Sequence, residues 1–320
     1  MCTAALPRKG TGNMLLQMQS VSNVYRVKTC FGKKKVQPVL DRIDLDMRPG
    51  EILGLVGASG CGKTTLGKAV LGLIEYEGNI TISGLNQSRA SRPELARIVQ
   101  AVFQDPGSAL NPARRIGWLM EEPLKIHRLG TKAERARKAD AVLELVGLDP
   151  SCKARKAREL SGGQRQRVCI ACALMLEPKL IIADEAVSSL DVSVGAQILN
   201  LFQDLRRGLG LGLLFISHNL KAVYYLCDRI AVMYRGQIVE TGTAEEVCGS
   251  PAHPYTRLLM DPLQPGAQDF REAPPEIRGC RFAPRCVLKT GVCDEPPALA
   301  RLGRPGSAHC ARCWNASAGF

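Results

Sequence analysis

The sequence lacks the features that would carry a chain into or across a membrane. It contains no run of 18 apolar residues, which argues against a spanning helix. Residues 1–13 have no apolar core of the kind that a secretory signal needs, and we expect a disordered lead-in there. Together these two absences predict a cytosolic protein.

Acidic residues are also in short supply. The chain has 30 of them against 43 lysines and arginines, for a formal net charge of +13. This surplus favours an anionic partner, such as a nucleotide, a nucleic acid or a negatively charged membrane surface, although a solvated basic surface explains it equally well. With 45% hydrophobic residues, a chain of 320 residues suffices for one large domain and a smaller one.

The most informative stretch is a glycine-rich loop between a strand and a helix. The apolar run Ile52–Val56 is typical of a buried strand, and the pattern G-x-x-x-x-G-K-[ST] follows it. Small residues in such a loop let successive backbone N–H groups point at phosphate oxygens, and the helix N-terminus adds partial positive charge. The lysine can reach the β- and γ-phosphates, and the next hydroxyl can bind Mg²⁺. The predicted phosphate-binding residues are Gly57, Ser59, Gly60, Cys61, Gly62, Lys63, Thr64 and Thr65.

Two later strand patterns end in residues suited to hydrolysis. Lys179–Ala183 is followed by Asp184 and Glu185. After a phosphate loop, this pair suits Mg²⁺ binding by Asp184 and polarisation of the attacking water by Glu185; the alternative is a helix cap. His218 follows the apolar strand pattern Leu213–Ser217, where it could contact the γ-phosphate or be purely structural.

A second glycine-rich segment lies about a hundred residues after the first. Ser161, Gly162, Gly163 and Gln164 precede a predicted helix, so that a hydroxyl and backbone N–H groups converge at a helix N-terminus. Because one nucleotide needs only one cradle, the second one predicts two chains that share nucleotides head to tail. The alternative is a capped helix start without a ligand.

Strand and helix patterns alternate along most of the chain, which predicts an α/β domain with a largely parallel sheet. Residues 14–24 and 39–47 alternate like an antiparallel edge, with a basic loop between them, and Asp105–Arg115 is predicted to be a loop. After about residue 250 prolines become dense and periodicity vanishes. A domain boundary is therefore expected near 245–255.

Together these motifs resemble the ATP-binding cassette (ABC) family over about residues 14–245. The phosphate loop, Gln104 in VFQDP, LSGGQ, IIADEAVSSLD and His218 occur in the family's order. The resemblance implies an ABC ATPase domain at 14–248, with a mostly parallel sheet, an antiparallel β edge and a helical subdomain at about 105–175. It implies ATP and Mg²⁺ as ligands, each ATP lying between the phosphate loop of one subunit and the LSGGQ of another.

The resemblance also implies roles for individual residues. Glu185 would be the catalytic base and His218 the switch histidine, while Ser189–Asp191 would form a dimer-contact loop. Gln104 would be a catalytic lid residue that also senses the membrane partner. Mg²⁺ would be held by Thr64, Gln104 and Asp184.

An aromatic residue upstream of the phosphate loop should stack on adenine. Tyr25 is the predicted residue, and Phe31 is the alternative because the basic insertion blurs the alignment.

Five of the 13 cysteines crowd into the tail, namely Cys280, Cys286, Cys293, Cys310 and Cys313. In a reducing compartment such crowding favours a metal over disulfides. The spacing departs from the C-x2-C pairs that are usual for structural zinc.

A closer resemblance is to the ATPase subunits of peptide/nickel importers. FQDPGSALNP, HPYTRLL and GCRFAPRC carry it, and the last two place a small irregular Cys-rich extension at 249–320. The resemblance implies a [4Fe–4S] cluster on Cys280, Cys286, Cys293 and Cys313, with Cys310 as an extra cysteine; zinc and no metal are the alternatives.

This resemblance implies a subunit that couples ATP hydrolysis to uptake of peptides or nickel/metal chelates. The implied partners are a second ABC ATPase subunit, expected to be a paralogue, two transmembrane permease subunits and an extracytoplasmic substrate-binding protein. The location would be peripheral, at the cytoplasmic face of the inner (plasma) membrane. The alternative is a soluble ABC ATPase acting on nucleic acid or ribosomes, but those proteins usually carry paired cassettes or large insertions, so no nucleic acid partner is expected. The cargoes compatible with this resemblance are dipeptides, oligopeptides, nickel and metallophore complexes.

Overall fold

The structure of the protein is a computed structural model that describes residues 14–28, 34–261, 278–303 and 307–316. Within these ranges the chain forms twelve strands. They are β1 (Leu16–Lys28), β2 (Lys34–Met47), β3 (Ile52–Val56), β4 (Glu77–Ile82), β5 (Leu85–Asn86), β6 (Val99–Val102), β7 (Leu180–Asp184), β8 (Gly212–Ile216), β9 (Arg229–Tyr234), β10 (Gln237–Thr243), β11 (Ala300–Arg301) and β12 (Cys310–Ala311).

The same ranges contain ten α-helices. They are α1 (Lys63–Val70), α2 (Arg92–Ile98), α3 (Pro106–Ala109), α4 (Ile116–Ile126), α5 (Lys132–Leu145), α6 (Gly162–Leu174), α7 (Val192–Leu209), α8 (Leu220–Leu226), α9 (Ala244–Gly249) and α10 (Pro254–Met260). None of the helices in the described ranges is long and apolar enough to cross a bilayer.

The main sheet has eight strands in the order β11-β12-β10-β9-β3-β8-β7-β6. From β9 to β6 all neighbours are parallel, with pairs such as Leu55↔Ile216 and Ala183↔Phe215. Strands β3, β7 and β8 are buried along their whole length, as continuous apolar runs in a parallel sheet require. The predicted α/β class with a mostly parallel core is confirmed. Because parallel strands end at one edge, the loops after β3, β7 and β8 lie side by side.

A second sheet is antiparallel, in the order β2-β1-β4-β5, and forms the predicted β edge. Its strands are longer than expected. The basic segment after residue 27 was predicted to be a loop, but β1 continues to Lys28 and β2 begins at Lys34, with these two residues paired. The loop prediction is wrong there because β-branched Val27 and Val36 favour extended backbone, and the hairpin pairing continues through them.

Helices α3 to α6 lie between β6 and β7 and include the region predicted as a helical subdomain. The prediction of a loop over Asp105–Arg115 is wrong for α3. Asp105 Oδ1 accepts the Gly107 N–H at 2.8 Å, and Pro106 occupies the first turn, which together start a short helix.

The described parts of the C-terminal extension (residues 249–320) pack against the preceding residues. Its α10 and the segment around Phe282 bury Tyr255 and Phe282 in the same core cluster as β3, β7 and β8. Strand β12 pairs with β10, and β11 pairs with β12, so the extension lengthens the main sheet. The described part of the extension is therefore continuous with the sheet and core that position the phosphate loop.

Candidate nucleotide-binding and catalytic site

The carboxyl ends of β3, β7 and β8 surround a cavity of about 520 Å³. Its lining contains most of the predicted ATP-site residues, together with Val39, which the sequence did not single out. The residues that line it are Val39, Ser59, Gly60, Gly62, Lys63, Thr64, Thr65, Gln104, Glu185 and His218. The fold thus brings together side chains that are up to 179 positions apart, from Val39 to His218.

The phosphate loop is closely backed by other parts of the chain. A Cβ on Gly57 would lie 2.2 Å from the carbonyl oxygen of Met233, and one on Gly62 would lie 2.9 Å from that of Val39. Gly62 also has φ of +113°, in the region that favours glycine, directly before α1 begins. These two positions explain why the loop needs glycine at its first and last small residues.

Lys63 is buried and folds back over its own loop. Its ammonium donates to the carbonyl oxygens of Gly57 at 2.7 Å and Ala58 at 3.1 Å. A phosphate group would offer the ammonium a negatively charged acceptor in place of these neutral ones. The arrangement therefore fits an anion-binding site in which the loop carbonyls already hold the lysine in place.

The side chain of Cys61 is buried and belongs to a hydrophobic core cluster. Burial raises the pKa of its thiol, and the nearby Lys63 offsets this only in part. The carbonyl oxygen of Cys61 accepts the N–H of Gly236 at 2.8 Å, which ties the loop to the turn between β9 and β10. Cys61 therefore acts as a packing residue, and its backbone shapes the loop.

Asp184 lies at the end of β7 and is buried. Burial raises the pKa of its carboxyl, while a hydrogen bond from Thr64 and the charge of Lys63 oppose the shift. Among the described residues, its Oδ1 atom has no hydrogen-bond partner. A buried, unpartnered carboxylate oxygen beside a threonine hydroxyl is a donor set that fits Mg²⁺. Thr64 and Gln104, the other two predicted ligands, line the cavity, whereas Asp184 is not among its lining residues.

Glu185 has a backbone conformation that is rare for its residue type. Its φ is +54°, and hydrogen bonds from its N–H to Ile216 O and from Ser188 N–H to its own carbonyl fix it there. Non-glycine residues in this region carry strain that commonly marks functional sites. The strained turn directs the Glu185 carboxylate into the cavity, where His218 Nδ1 lies 2.8 Å from Oε1.

The predicted lid and dimer-contact residues touch each other. The hydroxyl of Ser189 donates to the backbone oxygen of Gln104 at 3.3 Å. Because Gln104 also lines the cavity, this hydrogen bond joins Ser189 to the cavity wall.

The LSGGQ segment does not line the cavity. Ser161 caps α6, since its Oγ accepts the Gln164 N–H at 3.3 Å while its own N–H donates to Gln164 Oε1 at 3.0 Å. A Cβ on Gly163 would lie 2.5 Å from Val194. Within one chain the segment is thus a capped helix start, and the second cradle, with Gly162 and Gly163, is separate from the first.

The adenine-stacking residue stays a prediction. Tyr25 belongs to β1, but its side chain lies outside what the structure describes, and so does Phe31 as a whole. Val39, in β2, is the cavity residue that sequence reasoning missed, and its sequence signal was weak because it reads only as one more strand valine.

The tail cysteines divide into two groups. Burial raises the pKa of Cys280, Cys286 and Cys313, and neighbouring thiols raise each further, with Cys293 acting on all three. Cys310 instead lies near Arg301, Arg229 and Glu246. In the described ranges no group of three or more His, Cys, Asp or Glu side chains is arranged to hold a single metal ion.

A phosphate loop, an acid pair and a histidine at the carboxyl edge of a parallel sheet define a nucleotide-hydrolysing cassette. Comparison with known proteins agrees. Residues 40–188 match the ABC transporter family, and residues 239–293 match the oligopeptide/dipeptide transporter C-terminal region. The chain belongs to the ABC transporter family of ATP-binding proteins, and it is an ATPase of that family. The predicted family and its ATPase activity are therefore confirmed.

Relatives cover nearly the whole chain. A Brucella ovis protein, provisionally named a peptide import ATP-binding protein, is 42% identical over 311 residues, covering 92% of this chain and 96% of its own length. A Brucella abortus protein with the same provisional name is 45% identical over 291 residues, covering 85% and 86%.

Solved structures agree with this assignment. CbiO1 of Clostridium perfringens, part of an ABC transporter complex, is 25% identical with a TM-score of 0.65, covering 78% of this chain and 96% of its own. A dimeric ATP-binding cassette in a post-hydrolysis state with ADP and Pi is 25% identical with a TM-score of 0.63, covering 72% and 98%.

Proposed function

We propose that this ABC ATPase drives the import of peptides. The observation that carries the proposal is the match of residues 239–293 to the oligopeptide/dipeptide transporter C-terminal region, since this part of the chain distinguishes it from a general cassette. The relatives provisionally named for peptide import match over the same extension and support the proposal.

The geometry supports a separate role for each group of residues at the site. Lys63 and the loop amides would bind the phosphates, and Thr64, Asp184 and Gln104 would hold Mg²⁺, which neutralises phosphate charge when bound. Glu185 would take a proton from the water that attacks the γ-phosphorus, as the bond from that phosphorus to the bridging oxygen breaks and ADP leaves. His218 would hold the Glu185 carboxylate in position through its 2.8 Å contact.

The assembly we propose contains two such ATPases facing head to tail. This is supported by the separation of the Ser161–Gln164 segment from the cavity in one chain, since each ATP would then need that segment from its partner. The second ATPase would be a paralogue. Two transmembrane permease subunits and an extracytoplasmic binding protein would complete the importer, with this chain at the cytoplasmic face of the inner membrane.

The proposal is tested by reconstituting the chain in vesicles with the permease subunits, the second ATPase and the binding protein that the neighbouring genes are expected to encode. ATP-dependent uptake of labelled di- or oligopeptides is expected, and excess unlabelled peptide should compete with it. Uptake of nickel or a nickel chelate without peptide uptake would contradict peptide import. Salt-dependent DNA binding by the chain at physiological ionic strength would instead favour the soluble, nucleic-acid-acting ATPase.

We also propose a [4Fe–4S] cluster on Cys280, Cys286, Cys293 and Cys313. Support comes from the mutual proximity of these thiols, from the exclusion of Cys310, and from the preference of thiolate sets for such clusters. Zinc bound by the same thiols is the alternative. A cluster would bind together the segments around residues 280–293 and 313.

The variant Cys286→Ser distinguishes an iron–sulfur cluster from zinc and from no metal. Metal content and visible absorbance are measured on protein purified without oxygen. Loss of iron and of the absorbance band is expected, whereas Cys310→Ser should retain both. Unchanged iron and zinc content in Cys286→Ser would contradict a metal at this site.

A further inference from the structure

A side chain of the C-terminal extension reaches the phosphate loop. Tyr255, in the first turn of α10, accepts a hydrogen bond at 2.7 Å from the backbone N–H of Ala58 to its hydroxyl oxygen. The two residues are 197 positions apart in sequence. Tyr255 is fully buried, and burial raises the pKa of its phenol, so the hydroxyl is neutral at any physiological pH.

The ring of Tyr255 is held in a fixed orientation. Its centroid lies 4.5 Å from that of Tyr234 and 5.7 Å from that of Phe282, and these two rings pack edge to face. The helix that carries Tyr255 is itself anchored, because His253 Nδ1 accepts the Tyr255 N–H at 3.0 Å and the buried Glu240 accepts the His253 N–H at 2.8 Å. The hydroxyl position is therefore set by the extension together with β9 and β10, and not by the loop.

The contact acts on one particular peptide group. The N–H of Ala58 belongs to the same planar unit as the carbonyl of Gly57, which is the 2.7 Å acceptor of the Lys63 ammonium. Holding the N–H on one side therefore orients the carbonyl on the other. Tyr255 thus controls the direction in which the loop presents its acceptor to the phosphate-binding lysine.

A second set of hydrogen bonds connects the extension to the same loop. Arg281 donates to Asp41 at 2.6 Å and also to the backbone oxygen of Arg235. The next residue, Gly236, donates its N–H to the carbonyl oxygen of Cys61 at 2.8 Å. The loop is consequently supported by the extension at Ala58 directly and at Cys61 through the β9–β10 turn.

We propose that the C-terminal extension positions the phosphate loop for nucleotide, with Tyr255 as the positioning residue. By fixing the Gly57–Ala58 peptide it prepares the loop for the ATP phosphates, and the extension thereby sets ATP affinity. This inference depends on ATP binding by the cassette and is independent of the cargo and of any metal.

The direct test is Tyr255→Phe in the full chain, which removes the hydroxyl and keeps the ring. The dissociation constant for Mg-ATP, measured by calorimetry, should rise about 3- to 10-fold, the range expected for one lost hydrogen bond to a partly buried amide. Hydrogen exchange of a peptide covering residues 57–61 should become faster. In the assembled importer the KM for ATP should rise with little change in kcat.

Phe282→Leu provides the matched control, since it loosens the same aromatic cluster without touching the loop. It should lower the melting temperature more than Tyr255→Phe does while changing ATP affinity less. Unchanged or tighter ATP binding by Tyr255→Phe would overturn the proposal and leave the ATPase assignment standing. An affinity loss in Phe282→Leu larger than that of Tyr255→Phe would also overturn it, because Phe282→Leu keeps the hydroxyl and general destabilisation would then explain both.

Discussion

Replacing Glu185 with glutamine removes one property of the site and keeps the others. The two side chains have the same shape, and an amide can still hydrogen-bond to His218, which lies 2.8 Å from the carboxylate. Glutamine cannot accept the proton from the attacking water. A positioned general base contributes roughly 10²- to 10⁴-fold to a rate, which corresponds to about 3–5 kcal/mol of barrier. We expect kcat for ATP hydrolysis to fall by about that factor.

Affinity should respond differently from rate. Glu185 lines the cavity that would receive a polyanion, so removing its charge should leave Mg-ATP binding unchanged or tighter. Phosphate release by the assembled importer at saturating ATP measures the rate, and calorimetry on the full chain measures the affinity. Hydrolysis at the parental rate would refute Glu185 as the base.

The matched control for this experiment is Glu177→Gln. Glu177 also has a left-handed backbone, with φ of +53° against +54° for Glu185, but it is exposed and does not line the cavity. The same chemical change there should leave hydrolysis at the parental rate, which separates loss of the base from effects of backbone strain.

Two further predictions concern stability. Burial lowers the pKa of His253 from 6.5 to about 4, so between these values the unfolded chain binds the extra proton, and stability should fall as pH falls, by up to about 3 kcal/mol. His253→Asn keeps a side-chain acceptor that caps α10, and the melting temperature of this variant should depend less on pH between 4 and 6.5. The same dependence in both proteins would contradict the titration of His253 as its cause. Gly236→Ala should lower the free energy of unfolding, measured in urea, by about 1–3 kcal/mol. Gly236 has φ of +80°, and a Cβ there would lie 2.3 Å from the backbone oxygen of Val39. Gly208→Ala is the control, because a Cβ at this position in α7 meets open space, and the change should be neutral or stabilising. If both variants lost the same free energy of unfolding, the clash expected at Gly236 would not be the cause of its destabilisation.

Many of the residues predicted for the ATP site line one cavity in the structure, and the sequence could single them out because they belong to short local patterns. A strand followed by a phosphate loop can be recognised without information from distant residues, and the same is true of the acid pair at the end of β7 and of His218 after β8. Parallel pairing of the three strands then brings the patterns together at one edge. The strained φ of Glu185 could not be predicted, since it depends on the hydrogen bond to Ile216 in another strand.

Long-range contacts were beyond sequence reasoning. Tyr255 was part of a noted motif, yet its hydrogen bond to Ala58 spans 197 positions and follows from how α10 packs on the core. The helix α3 was missed for a more local reason, because Pro, Gly and Asn suggested only a loop while Asp105 provided a cap. The two-residue strands β11 and β12 show no periodicity of their own; β12 forms through pairing with β10, and β11 forms through pairing with β12.

The pairing of β12 with β10 also determines how the main sheet ends. Without it, β10 would present an open row of backbone N–H and C=O groups that could pair with another chain. The sheet instead ends in β11, which is only two residues long. A cassette truncated after α9 would therefore expose this edge of β10 and be prone to edge-to-edge aggregation.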